Sequence, residues 1–176
     1  MSSARVLIAT RRGSSKLSVM RVRSKQALLG VSLAVGGMGA LCCGFKRSAL
    51  TLFAAGVREL ERDWHSRHPE FHGTLAERWQ LSLAFYRETH QNPTNRTLHV
   101  VGIPLIVGGA VGLLLSRPFS PVSGGIWLGS LAAFSGGWAL NILGHAAYEG
   151  RAPAFSEDGL SFLAGPVWDL QQLFWR

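Results

Sequence analysis

LHVVGIPLIVGGAVGLLL, residues 98–115, runs for 18 positions without a formally charged side chain. That is long enough for a helix to cross the apolar core of a bilayer. RPFSPVSGG (117–125) follows, and its two prolines and two glycines are the composition of a turn. Residues 122–143 are then uncharged for another 22 positions. A backbone in lipid must satisfy its hydrogen bonds within its own segment, so the two runs predict a transmembrane helical hairpin, 98–115 against 122–143. The fold class is all-α: an integral membrane helical bundle built on this hairpin, with interfacial helices beside it.

Polar residues gather at one end of the hairpin. Its first helix is entered through YRETHQNPTNRTLHVVGIP (86–104), where Asn92 precedes Pro93 as a cap residue precedes a first-turn proline. His90 then closes the preceding element, while Asn95 and His99, four apart, share a face of the new helix. The second helix leaves through GHAAYEGRAPAF (144–155). His145 and Glu149 are again four apart, and Gly150 and Pro153 end the helix. Antiparallel helices bring these ends to one membrane surface, so His90, His99, His145, Glu149 and Asn95 converge. Ionisable groups at the edge of a span are costly unless they have a task. Three histidines with at most one carboxylate suit iron, zinc, manganese or nickel better than calcium or magnesium.

Two other readings use the same residues. They can cap helices and anchor them to headgroups, as in a non-catalytic adaptor or lipid-headgroup-binding protein. They can also supply axial ligands to a haem, although their position at one rim, away from mid-span, argues against that.

The rest of the chain is less pointed. Residues 1–58 hold ten Lys/Arg and no acid, and the remainder holds eight against ten acids, so the net +8 belongs to the N-terminal third. No aromatic residue is interleaved with those charges before Phe45, which argues against nucleic acid as a partner. Residues 1–25 read as a basic disordered or targeting leader. Residues 26–57 read as an apolar membrane segment whose uncharged run, 27–45, is long enough to span. Residues 48–57 allow instead a re-entrant or interfacial piece. Cys42 and Cys43 read as two small buried apolar residues. His65, His68 and His72 fall at helical spacing, but Pro69 interrupts them and predicts a solvated loop. GLSFLAGPVWDLQQLFWR (159–176), broken by Pro166 and Asp169, suits an interfacial helix.

The pattern Tyr86-x3-His90-x4-Asn95-x3-His99-x2-Gly102-x-Pro104, with Gly144-His145-x3-Glu149 and Pro153-Ala154, resembles the family of the yeast 2-hydroxy fatty acid dioxygenase, small membrane proteins of fatty acid alpha-oxidation in phytosphingosine breakdown. The likeness covers roughly residues 79–176 and makes 58–176 the catalytic membrane domain. It implies an iron(II), Fe(II), enzyme that uses dioxygen to remove one carbon from a 2-hydroxy fatty acid. His90, His99 and His145 would be its metal ligands, with Glu149 among the catalytic residues. Tyr86, Asn95, Arg96 and Arg151 would bind substrate, the arginines through its carboxylate, unless they snorkel to lipid phosphate. The implied setting is the endoplasmic reticulum of a eukaryote or the inner membrane of a bacterium, with membrane lipid as surroundings and a homo-oligomer left open. A cytoplasmic leader with one span at 27–45 puts the histidine rim away from the cytosol; a re-entrant 27–57 puts it on the cytosolic side.

Overall fold

The computed structural model describes residues 24–174, so most of the basic leader, together with Trp175 and Arg176, lies outside the described residues. Those described form six α-helices and no strand: α1 (Lys25–Cys42), α2 (Lys46–Arg67), α3 (Leu75–Thr89), α4 (Pro93–Leu115), α5 (Gly124–Gly144) and α6 (Ser161–Phe174). Three are long and apolar enough to cross a membrane: α1, α4, and α5 with its continuation to Glu149.

The predicted hairpin is α4 against α5, the most extensive helix pair in the molecule. Its closeness depends on missing side chains. A Cβ on Gly109 would stand 2.5 Å from the Phe134 nitrogen and 2.7 Å from the Ser130 carbonyl oxygen. Backbone meets backbone there, the contact by which helices associate in lipid, where apolar burial drives nothing.

A second hairpin, which the sequence did not resolve, is made by α1 and α2. Residues 48–57 are not a separate piece but the first half of α2, which continues unbroken from Lys46 to Arg67 and packs back along α1. Gly56 sits against Ala34, its would-be Cβ 2.5 Å from the Ala34 nitrogen. The chain reverses at Gly44 (φ +84°), a left-handed position that glycine takes at no steric cost. This tight turn leaves Cys43 exposed and Cys42 half-buried, so the pair is not the buried couple its surroundings suggested. Ser24 at the start of α1 hydrogen-bonds Asp63 near the end of α2. Residue 24 therefore enters at the polar end of the bundle, and whichever side of a membrane takes it also takes the histidines.

Arg78 locks α3 onto that end. Its guanidinium is buried, donates from Nε and Nη2 to Glu61 (2.6 and 2.8 Å) and from Nη1 and Nη2 to Asp158 (3.1 and 2.7 Å), and lies 3.7 Å from the centre of the Trp64 ring. One side chain thus ties together α2, α3 and the lead into α6. Thr74 and Glu77 start α3 with a reciprocal capping box. Arg78→Ala is expected to lower stability by about 3–5 kcal/mol, because it strands two carboxylates. Arg78→Lys should recover only part of this, since an ammonium cannot form two bidentate pairs. Thermal unfolding in detergent reads both.

Candidate metal centre

Three segments each deliver one imidazole to a common point. His90 is the residue at which α3 stops, and its ring Nδ1 donates to the Tyr86 carbonyl at 2.7 Å. His99 lies on the second turn of α4 and donates from Nδ1 to the Asn95 carbonyl at 2.9 Å. A carbonyl only accepts, so both rings carry their proton on Nδ1 and leave Nε2 with a free lone pair. His145 opens a π-helical turn, His145–Glu149, that continues α5. Such widened turns recur at functional sites. All three rings are buried. Their centroids are 4.7, 4.8 and 5.0 Å apart, each pair edge to face at 76–86°. One ligand nitrogen from each lies within 4.8 Å of the others, the sole such group of three among the described residues.

Buried ring nitrogens without hydrogen-bond partners are donors suited to a cation. His90 Nε2 and His145 Nδ1 both lack a hydrogen-bond partner, a cost that a coordinated cation would remove. Burial pushes His90 down to about 3, with His99 and His145 lowering it further. It is therefore neutral and able to ligate at any physiological pH.

The supporting shell is also built. Tyr86 grips His90 twice, through its carbonyl and through its ring, stacked at 3.8 Å between centroids. The Tyr86 hydroxyl donates to Asp169 of α6 at 2.6 Å, and Gly165 leaves room for the ring. Burial raises Asp169 to about 6, opposed by that hydrogen bond. Partners that orient ligands in this way hold a metal site's geometry.

Of the residues expected at the site, Glu149 arrives as a clasp. Its Oε1 accepts from the Asn92 backbone N–H (3.0 Å) and from Asn95 Nδ2 (3.1 Å), joining the exit of the hairpin to its entrance. Asn92 caps α4 as expected, accepting from the Thr94 and Asn95 nitrogens. Asn95 is fully buried opposite Gly144. Arg96 lies over Trp168, 5.1 Å from its ring centre, and Arg151 makes an exposed pair with Glu157 at 3.4 Å. Neither arginine is among the cavity-lining residues. His65, His68 and His72 stay apart from the triad; His68 stacks on Trp64.

Sequence reasoning passed over Asn141 and Asp169. Asn141 is the one carboxamide of α5 and Asp169 the one charged side chain of α6, and that was the available signal. Asn141 faces Gly102, its Oδ1 buried without a partner. It borders a cavity of about 470 Å³ that begins at the three histidines and runs between α4, α5 and α6 with apolar walls. Glu149→Ala is expected to cost about 1–3 kcal/mol by freeing two donors. The readout is a fall in melting temperature in detergent.

Comparison with protein families matches residues 76–175 to the Mpo1-like family, described as 2-hydroxy-palmitic acid dioxygenase Mpo1-like. No curated protein and no solved structure matches the chain. The matched span exceeds half the chain and takes in Tyr86, the three histidines and Asp169, and on that match the chain belongs to the Mpo1-like family.

Proposed function

We propose that this protein is an iron(II)-dependent dioxygenase that shortens 2-hydroxy fatty acids by one carbon within a membrane. The observation that carries the reading is the trio of buried imidazoles, with free ring nitrogens, at the head of an apolar cavity. The family description names both the reaction class and an acid of this kind.

The donor set fits the metal. Neutral nitrogen ligands suit iron(II), and three of them leave coordination positions for small molecules. His90, His99 and His145 would hold it. Activation of dioxygen beside the carboxyl carbon is the chemistry iron(II) supplies when bound.

The protein's own groups do the rest. The cavity walls take up the acyl tail and keep water from the head, which leaves the carboxyl and 2-hydroxyl at the histidine end. Asn141 Oδ1, buried and unpartnered at that end, accepts a hydrogen bond from the 2-hydroxyl. Arg151 is free to turn from its exposed pair with Glu157 to the substrate carboxylate, because an exposed pair contributes little. Tyr86 and Asp169 hold His90, and Glu149 with Asn95 holds the two hairpin ends in register. In a eukaryote the setting is the endoplasmic reticulum, in a bacterium the inner membrane.

Detergent-purified protein loaded with ferrous iron, given a long-chain 2-hydroxy acid and air, should yield the acid one carbon shorter. Alanine at His90, His99 and His145 together should abolish both stoichiometric iron and that product. Retention of both by the triple variant would refute the reading.

A further inference from the structure

We propose that the N-terminal hairpin, α1 with α2, is the measuring wall of the acyl slot and sets the chain length that the site accepts. This rests on the reading of the cavity as the acyl site. The matched family span begins at residue 76, after α2 has ended, so both helices lie outside it. Even so, they close the cavity: Met38 and Leu41 of α1 and Ala49 and Phe53 of α2 line it opposite α4.

The far end is defined by three residues. Leu41 and Ala49, both buried beside the α1–α2 turn, meet Leu114 near the end of α4. From His99 to Leu114 an α-helix rises about 22 Å, at 1.5 Å per residue. An extended hydrocarbon chain advances roughly 1.3 Å per carbon, given bonds near 1.5 Å. The slot therefore holds about seventeen carbons when straight. It is long because the catalytic end and the floor stand at opposite ends of the bundle.

Access is lateral. Leu50 of α2 and Val111 of α4 line the cavity yet are 58% and 49% exposed. The α2 helix packs on α1 and is not closely packed on α4, so the gap between these two apolar residues opens toward lipid. A long-chain acid can slide in from the bilayer without carrying its tail through water.

The test uses two floor variants and two readouts. Ala49→Phe fills the floor and Leu41→Ala deepens it, both on the N-terminal hairpin. Binding of a ladder of saturated, non-hydroxylated fatty acids is followed by displacement of a fluorescent long-chain acid, and turnover by the same ladder of 2-hydroxy acids. At roughly 1.3 Å per carbon, A49F should move the preferred length down by about three to four carbons and L41A up by about two. Should the ring at 49 prevent folding, L41A carries the test alone. An unchanged preference in folded variants overturns the proposal, whether or not turnover occurs. A shifted binding preference in a protein that turns over no 2-hydroxy acid supports the measuring wall and refutes the proposed chemistry.

Discussion

A single buried guanidinium holds the polar half of this molecule together. Arg78 is 2% exposed and carries two carboxylates, one from α2 and one from the lead into α6, with an indole against its face. Burying such a group is unfavourable unless every donor is satisfied. Here four donor contacts and a ring face meet it. The consequence is positional. The α3 helix carries Tyr86 and ends at His90, so the docking of Arg78 decides where the first imidazole stands.

The other two imidazoles arrive by a different route. His99 and His145 belong to helices that touch backbone to backbone at glycines, and the Asn92–Glu149–Asn95 clasp fixes their ends. One imidazole thus comes from an ion-paired region and two from an apolar hairpin. The proline start of α4 joins the regimes: it ends one helix at His90 and begins another, so that residues nine apart in sequence meet at 4.7 Å. On one unbroken helix they would stand about half a turn apart in azimuth.

This division explains what was legible in the sequence. Uncharged runs of 18 and 22 residues around two prolines require a hairpin in lipid, and a hairpin alone brings His99 and His145 to one end. The Asn92-Pro93 cap was equally readable, because capping is local chemistry. Arg78 was not legible, since its partners lie 17 and 80 residues away and nothing local marks them. Nor was the return of α2 along α1, where the charged second half of the helix hides an apolar first half that packs through Gly56. Asp169 read only as an interruption of an apolar run. Its meaning needs the Tyr86 hydroxyl, 83 residues distant. Glu149 was expected near the histidines and is near them, but only the structure shows it spent on holding α4.

The central claim is that His90, His99 and His145 together hold one catalytic metal, and X-ray absorption at the iron edge of ferrous-loaded protein tests it most directly. The account predicts one iron per chain, with three imidazole nitrogens and only light oxygen-type neighbours completing the shell. A spectrum fitted by a single imidazole, or by sulfur, would contradict it.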